Sequence, residues 1–279
     1  MPRKVSVTPK TKKNETKVSL STKPKNLDQA QIFQLREDLK CKNKTQKDLV
    51  SLINDKEITI AAGPAGVGKS YVTIAKALEL LKNTKTPFSK IIISKPAVEA
   101  EEKHGFLPGD MREKMEPFIS SSLDIFDKLI GKASRLKLEE LELLEVQPLA
   151  YIRGKSIDNT ILIMEEAQNM SPNQMKTLLT RIGDNSKFII SGDLDQSDRY
   201  KNISQSGLYD ALNKHRNISE IGFIEFGNED IVRNPIISKI LGNYKREVYQ
   251  TKTPYRHLDI KIIEEKPWYY KILSFFQKK

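Results

Sequence analysis

One short glycine-rich segment constrains the fold of this chain more than any other feature of its sequence. The segment follows an apolar run, Ile58–Ala62, and precedes a stretch with helical apolar spacing at residues 70–81. It satisfies the pattern G-x-x-x-x-G-K-S, with the residues Gly63, Pro64, Ala65, Gly66, Val67, Gly68, Lys69 and Ser70. A strand, a glycine loop and a helix in this order can cradle phosphate groups. The pattern therefore predicts an α/β fold that holds a nucleotide at its strand ends.

The residue types of this loop indicate how it would hold phosphate. Glycine adopts backbone conformations closed to other residues, so successive N–H groups can converge on one anion. The Lys69 ammonium would neutralise the β- and γ-phosphate oxygens, and the Ser70 hydroxyl would bind Mg²⁺. Tyr71, the next residue, ends the segment expected to contact the nucleotide. The alternative is a glycine-rich turn before an ordinary helix.

Further apolar runs indicate the other strands of a mainly parallel sheet. Four more runs are rich in isoleucine, at Lys90–Ser94, Thr160–Met164, 187–191 and 221–226, with residues 149–153 as a sixth candidate. Near-continuous apolar runs are typical of strands that helices cover on both faces. Helices are predicted at 70–81, Met111–Ile130, 136–146, 171–182 and 235–241. This alternation predicts a single α/β domain with a mainly parallel sheet flanked by helices.

Two carboxylates follow the predicted strand Thr160–Met164. Glu165 and Glu166 come directly after it, which places them at the carboxyl edge of the sheet, where parallel α/β folds bind ligands. One carboxylate, for which we choose Glu165, would hold Mg²⁺ through water. The other would accept a proton from an attacking water. The alternative is a pair of exposed acids at the start of a loop.

A second polar strand end has the sequence Gly192-Asp193-Leu194-Asp195-Gln196. An uncharged amide can contact a γ-phosphate and orient a water without competing for the metal ion. That role is assigned to Gln196, and the alternative is a polar turn without a catalytic function.

Charge that develops on a transferred phosphoryl group requires a cation beyond Lys69 and Mg²⁺. Arg233 follows the last predicted strand and is the first candidate, ahead of Arg181 and Arg153. For each of these arginines, a structural salt bridge or a contact with a nucleic-acid phosphate is an equal alternative.

The net charge of +11 is confined to the two ends of the chain. Residues 1–26 carry +7 and residues 245–279 carry +5, whereas residues 27–244 carry −1. The first segment has few apolar side chains, so we predict a disordered basic arm that either rests on phosphates or only aids solubility. The aromatic stretch at 268–276 would pack on its own domain, dock on a partner or stack on bases. The expected organisation is an arm (1–26), a globular domain (27–244) and a tail (245–279).

Composition excludes several classes of protein. Cys41 is the single cysteine, which excludes an internal disulfide framework and a cysteine-rich zinc module. No apolar stretch approaches the roughly 20 residues that span a bilayer, and the N-terminus lacks the apolar core of a secretory signal. A cytoplasmic protein is expected.

In their order along the chain, these segments resemble the PhoH family of P-loop ATPases, which is related to the helicase-like nucleotidases of superfamily 1. The resemblance covers roughly residues 42–244. Besides the glycine loop, it rests on Gln46 and on the motifs KPAVEA from Lys95, GFLPGD from Gly105, YIRG from Tyr151, EEAQN from Glu165, LTR from Leu179 and IVR from Ile231.

The resemblance implies a RecA-like core that binds ATP and Mg²⁺, with Gln46 near the adenine. Family members are linked to phosphate starvation, occur in bacteria and their phages, and include proteins that act on RNA. The leading hypothesis is therefore an ATPase that remodels RNA or single-stranded nucleic acid. One RecA-like domain would have to assemble to move along a strand, and a homo-oligomeric ring is the expected form. The alternative is a nucleotide-dependent switch with little turnover.

Two residues depart from the family pattern. Glu165 stands where the family usually has Asp, and its longer side chain predicts reduced activity. Lys95 stands where Arg is common, and lysine lacks the planar fork that binds a phosphate through two hydrogen bonds. No nuclease domain, which some relatives carry, is expected in the arm or the tail.

Overall fold

The computed structural model describes residues 32–96, 111–152, 154, 156–232 and 236, without the side chains of residues 111–118. Within the unit that ends at Pro235, the strands are β1 (Ile58–Ala62), β2 (Lys90–Ser94), β3 (Leu144–Val146), β4 (Thr160–Met164), β5 (Lys187–Gly192) and β6 (Ile221–Glu225). The helices are α1 (Lys44–Asp55), α2 (Lys69–Lys82), α3 (Met111–Ile130), α4 (Lys132–Glu140), α5 (Pro172–Leu179) and α6 (Gly207–Lys214). Short 3₁₀ turns lie at Leu149–Ile152, Ala167–Asn169, Leu194–Gln196, Ile203–Gln205 and Asn228–Asp230.

The six strands form one sheet in the order β3-β2-β4-β5-β1-β6. All pairings are parallel, and Ile60 in β1 lies between Ile190 of β5 and Phe223 of β6. The carboxyl ends of β4, β5 and β1 are therefore neighbours at one edge of the sheet. This arrangement confirms the predicted RecA-like α/β class.

Helices cover the sheet on both faces because successive strand residues point in opposite directions. Ile161 and Ile163 of β4 belong to a buried cluster with side chains of α1, α2, α3 and α4. Leu162 and Met164 belong to a second cluster with side chains of α5 and α6. The central strands are buried throughout, which explains the continuous apolar runs in their sequences.

The five isoleucine-rich strands are confirmed to within one residue, but the sixth candidate is wrong. Residues 149–152 form a 3₁₀ turn, and the edge strand is β3, inside the segment predicted as a helix at 136–146. The helix ends at Glu140 because Glu142 takes a positive φ of 56° and reverses the chain. Leu144 then pairs with Ile91 of β2.

Two helices, α1 and α6, were not predicted. In α1, buried Gln46, Leu49 and Ile53 have helical spacing, but only two of the three are apolar. The predicted helix at 171–182 is confirmed over Pro172–Leu179, where Ser171 and Gln174 form a capping box.

Several sequence predictions fall on residues outside the described ranges. They include the basic arm, the aromatic tail, the helix at 235–241 apart from residue 236, the GFLPGD motif and the candidate arginines Arg153 and Arg233. The predicted domain boundaries at residues 26 and 244 also lie there and stay predictions. Among the described residues, no helix has the length and apolar character needed to cross a bilayer.

Candidate nucleotide site

The glycine loop begins where β1 ends, and its first residue is hydrogen-bonded to β5, the neighbouring strand in the sheet. The Gly63 N–H donates to the Gly192 carbonyl at 3.1 Å, which ties the end of β1 to the end of β5. Glu165 follows β4, the other neighbour of β5. The sheet therefore brings three predicted site segments, which are far apart in the sequence, to one edge.

Three glycines of the loop adopt backbone conformations that favour glycine. Gly63, Gly66 and Gly68 have φ values of 147°, 88° and 88°. A Cβ atom at residue 63 would lie 2.6 Å from the Cβ of Phe226, and one at residue 68 would lie 2.8 Å from the Gln46 amide nitrogen. The loop is thus shaped both by its dihedral angles and by close neighbours.

Lys69 and Ser70 form the first turn of α2, directly after the loop. The Lys69 ammonium donates to the carbonyls of Gly63 and Pro64 at 2.6 and 2.8 Å. Ser70 is half-buried. Both side chains therefore lie at a helix N-terminus, where N–H groups and the helix dipole favour an anion.

Gln46 is buried beside the loop and is 3% exposed. Its amide nitrogen donates to the Val67 carbonyl at 2.8 Å, and its amide oxygen accepts from the Lys42 N–H at 2.7 Å. Both ends of the amide thus bind main chain and support the loop. The predicted nearness of Gln46 to an adenine stays a prediction.

The segment after β6 also reaches the loop. The Val232 N–H donates to the Gly66 carbonyl at 3.1 Å, and the Asn43 amide donates to the Asp230 carbonyl at 3.2 Å. Val232, the last described residue before Arg233, is therefore hydrogen-bonded to the glycine loop, which we also call the phosphate loop.

Glu165 is 3% exposed and has two different oxygen environments. Its Oε2 accepts a short hydrogen bond from the Ser122 hydroxyl and lies 3.4 Å from the Lys95 ammonium. Its Oε1 is buried and has no hydrogen-bond partner among the described residues. A buried carboxylate oxygen without a partner is costly unless water or an ion binds it. Glu165 therefore fits the predicted role toward Mg²⁺, which commonly uses one or two carboxylates together with waters and phosphate.

Glu166, in contrast, is exposed. It has a positive φ of 54°, which is uncommon for a residue with a side chain. Its Oε2 accepts a hydrogen bond from the Gln168 amide at 2.7 Å. One carboxylate of the pair is thus held inside the protein and the other faces solvent, an arrangement that allows two different roles.

Asp193 and Gln196 lie on the segment that follows β5. Asp193 accepts from the Ala65 N–H at 3.1 Å and from the Asp195 N–H at 3.0 Å. Burial raises the pKa of its carboxyl, and the two N–H donors and Lys69 oppose this shift. Gln196 is exposed, and its N–H donates to the Asp193 carbonyl at 3.1 Å.

The role of Gln168 and Asn169 was not predicted. Both are almost fully buried. The Gln168 amide binds Glu166, the Asp193 N–H and the Gln196 carbonyl, and the Asn169 oxygen accepts from the N–H groups of Asp198 and Arg199. Two amides after a strand are equally typical of an exposed loop, so the sequence carried no signal for their burial.

The structure does not bring Arg181 to the phosphate loop of its own chain. Its carbonyl accepts from the N–H of Ile157, which precedes β4, whereas Glu165 follows β4. Because α5 runs back along the sheet from the Glu165 end, Arg181 emerges at the opposite edge. A catalytic role for Arg181 would therefore require a second copy of the chain.

Tyr71 lies half-buried on α2. The Lys128 ammonium of α3 lies 5.3 Å from the centre of its ring. Burial raises the pKa of the Tyr71 hydroxyl, and the charge of Glu37 adds to the shift. The predicted contact of Tyr71 with a nucleotide stays a prediction.

Comparison with known proteins agrees with this geometry. The family model described as PhoH-like protein matches residues 38–245. The PhoH-like protein of Bacillus subtilis (strain 168) is 39% identical over 209 residues, which cover 75% of this chain and 65% of that protein. Protein PhoH of Escherichia coli (strain K12) is 36% identical over 206 residues, 73% of this chain and 57% of that protein. The match thus spans about three-fifths of the length of these relatives.

Among solved structures, the Pyrococcus furiosus Hef helicase domain is a match to part of this chain. Its TM-score is 0.39, with 14% sequence identity over 64% of this chain and 37% of that chain. The UvsW helicase from bacteriophage T4 has a TM-score of 0.37, with 16% identity over 70% of this chain and 62% of that chain.

Proposed function

The chain belongs to the PhoH-like protein family, and from this premise we propose that it binds ATP with Mg²⁺ and hydrolyses the β–γ bond. We further propose that this hydrolysis drives remodelling of RNA or single-stranded nucleic acid. One observation carries the first part: the loop Gly63–Ser70 lies at the same sheet edge as buried Glu165 and exposed Glu166.

Different residues of the loop would bind different parts of the nucleotide and its metal ion. The N–H groups of Gly66–Ser70 would bind phosphate oxygens at the start of α2. When ATP binds, the Lys69 ammonium would leave the carbonyls of Gly63 and Pro64 and donate to the β- and γ-phosphate oxygens instead. The Ser70 hydroxyl would hold Mg²⁺ directly, and Oε1 of Glu165, which has no hydrogen-bond partner among the described residues, would hold it through water. Bound Mg²⁺ would neutralise negative charge on the phosphates.

The exposed carboxylate takes the second role. Glu166 would accept a proton from the attacking water, and Gln196, also exposed on the neighbouring segment, would orient that water. Arg233 is proposed as the cation that completes the site, since its described neighbour Val232 is bonded to Gly66.

Nucleic acid is proposed as the partner because of the resemblance and the positive charge at the chain ends. Residues 1–26 and 245–279 carry +7 and +5, whereas the domain between them carries −1. Phosphate contacts of lysine and arginine release counterions, so binding that depends on them weakens steeply with salt. A homo-oligomer, with a ring as the favoured form, is proposed to let single domains act in turn on one strand.

The hydrolysis proposal is tested with three variants of the full chain. Lys69→Ala is expected to weaken ATP affinity at least tenfold by calorimetry. Glu166→Gln is expected to keep that affinity while phosphate release falls about 100-fold or more. Lys85→Ala, an exposed lysine near the end of α2, is the matched control and is expected to match the parent. Full ATP affinity in Lys69→Ala would contradict the proposal.

The partner proposal is tested on the same protein. Binding of RNA and DNA oligomers is measured across salt concentrations, with and without a non-hydrolysable ATP analogue. We expect affinity to fall steeply as salt rises and to depend on the nucleotide. A flat salt response would exclude a polyanion as the substrate, and a strict monomer with and without ATP would exclude the ring.

One observation favours the second candidate function, a nucleotide-dependent switch with little turnover. Glu165 already has a cation and a hydroxyl on its Oε2, so less of its negative charge remains for a metal ion. If the parent and Glu166→Gln bind ATP and release phosphate equally slowly, the switch is the correct function.

A further inference from the structure

Three hydrogen bonds connect the phosphate loop to the exposed carboxylate. The Ala65 N–H donates to Asp193 Oδ2 at 3.1 Å, and the Asp193 N–H donates to Gln168 Oε1 at 3.0 Å. The Gln168 Nε2 group then donates to Glu166 Oε2 at 2.7 Å. Gln168 is the link in this series that touches Glu166.

The orientation of the Gln168 amide is fixed by its partners. Its oxygen faces an N–H donor, and its nitrogen faces two acceptors, Glu166 Oε2 and, at 3.2 Å, the Gln196 carbonyl. Only an amide supplies an acceptor on one side and two donors on the other. Glutamate would lack the donors, and an aliphatic side chain would lack both.

The amide also has no room to move. Gln168 is 1% exposed. A Cβ atom at Gly192 would lie 2.6 Å from Gln168 Oε1 and 2.7 Å from the Leu208 side chain, so the end of β5 closes over the amide without space for another group. Glu166 itself is exposed, and among the described residues its carboxylate has this rigid amide as its hydrogen-bond partner.

We infer that Gln168 is the positioning residue for Glu166. It fixes the carboxylate against the Asp193–Gln196 segment and, through Asp193, against the phosphate loop. This inference rests on the proposed function, in which Glu166 accepts a proton from water. A carboxylate displaced by about 1 Å can lower the rate about 100-fold, whereas the groups that bind ATP are untouched.

The test compares two Gln→Met substitutions in the full chain. Gln168→Met removes the link, and Gln174→Met removes a glutamine whose side chain, among the described residues, bonds the cap of α5. We expect Gln168→Met to lower kcat at least tenfold with ATP affinity within about threefold of the parent. Gln174→Met is expected to keep the parent kcat. An unchanged kcat in Gln168→Met would overturn the inference, as would an equal loss of kcat and affinity.

A double-mutant cycle separates positioning from general loss of structure. If Gln168 acts through Glu166, then Gln168→Met has no further effect on kcat in a Glu166→Gln background. If Gln168→Met instead damages the structure in general, its loss of kcat would multiply with that of Glu166→Gln in the double variant. That result would overturn the inference. Should Gln168→Met fail to fold, Gln168→Asn keeps a neutral amide but is one methylene too short to reach all its partners, and the same cycle applies.

A spectroscopic measurement needs no turnover. The side-chain amide of Gln168, identified by its loss in Gln168→Met, is expected to move in the proton–nitrogen spectrum of Glu166→Gln, because a neutral acceptor replaces a carboxylate. An unmoved signal would overturn the inference. If the parent releases no phosphate, the proposed function fails, and this spectrum still decides whether Gln168 holds Glu166.

Discussion

The ammonium of Lys95 lies 3.4 Å from Oε2 of Glu165, with the two side chains 11% and 4% exposed. Lys95 follows β2 and Glu165 follows β4, so the ion pair joins two neighbouring strand ends. The Ser121 hydroxyl accepts from the same ammonium at 3.4 Å, and the Ser122 hydroxyl donates to the same carboxylate. Helix α3 is thereby tied to the carboxylate proposed to face Mg²⁺.

Removal of this cation is expected to destabilise the fold. Lys95→Met leaves the Glu165 carboxylate buried without its charge partner, and the free energy of unfolding should fall by roughly 3 kcal/mol. Urea denaturation measures the change. Lys137→Met, which breaks an exposed pair with Glu140, is the control and should stay within about 0.5 kcal/mol of the parent. A loss below about 1 kcal/mol for Lys95→Met would contradict the prediction.

Gly63→Ala is expected to disrupt the phosphate loop. Its new Cβ would lie 2.6 Å from the Cβ of Phe226 and 2.7 Å from the Phe226 carbonyl oxygen. Gly154→Ala is the control, because residue 154 also has a positive φ but no atom within 4 Å of its Cβ position. Thermal or urea unfolding should show a loss about 1–3 kcal/mol larger for Gly63→Ala. Equal losses of unfolding free energy in the two variants would contradict the prediction, because they would show that the structure relieves the collision.

Asp193→Asn is expected to change the pH dependence of stability. Burial raises the pKa of the Asp193 carboxyl in the folded protein, so the folded state binds this proton more tightly than the unfolded chain does. The stabilisation that this gives is present below the unfolded pKa and is lost as the pH rises through the folded pKa. Because asparagine does not titrate, Asp193→Asn should gain stability relative to the parent as the pH rises from about 3.5.

Urea denaturation of both proteins from about pH 3.5 to 7 measures that difference. Asp198→Asn, at an exposed position five residues along, is the control for the loss of one carboxylate. A fall in the stability of Asp193→Asn relative to the parent as the pH rises would contradict the prediction.

Gln46→Leu is expected to weaken the loop itself. The substitution removes the donor to the buried Val67 carbonyl and the acceptor of the Lys42 N–H. The loss at the buried carbonyl should cost about 1–3 kcal/mol, whereas Lys42 is exposed and its N–H can bond water. Because the amide is engaged at both ends, we expect affinity for ATP and for inorganic triphosphate to fall together. Calorimetry with both ligands and with Gln205→Leu, an exposed control, measures this. A loss confined to ATP would instead show that Gln46 contacts the adenine.

Much of the fold was predictable because its strands are buried on both faces. Five strands have apolar sequences that end where the polar site residues begin, so Glu165 and Gln196 were placed at the correct edge. Edge strand β3 was missed because only Leu144 of its three residues is buried. Its neighbour Glu142 takes a positive φ, which no residue type there predicts.

The site was predictable to the extent that its chemistry is local. Gly63 and Lys69 act through backbone freedom and charge within one loop, and both can be recognised from their neighbours in the chain. The role of Gln168 was missed, because its partners are 2 and 25–28 residues away. Arg181 was a candidate cation after Arg233, and α5 carries it to the other edge of the sheet.

The sequence by itself determined where five of the six described strands and the glycine loop begin, because burial on both faces and glycine dihedral angles leave local patterns. Only the tertiary structure decided that β4, β5 and β1 are neighbours, since strand order is set by packing between distant segments. That order makes Gln168 a link between Glu166 and Asp193 and buries one carboxylate of the pair Glu165–Glu166. The free-energy cost of an unpaired buried polar group then fixes which amide and which carboxylate are bonded inside.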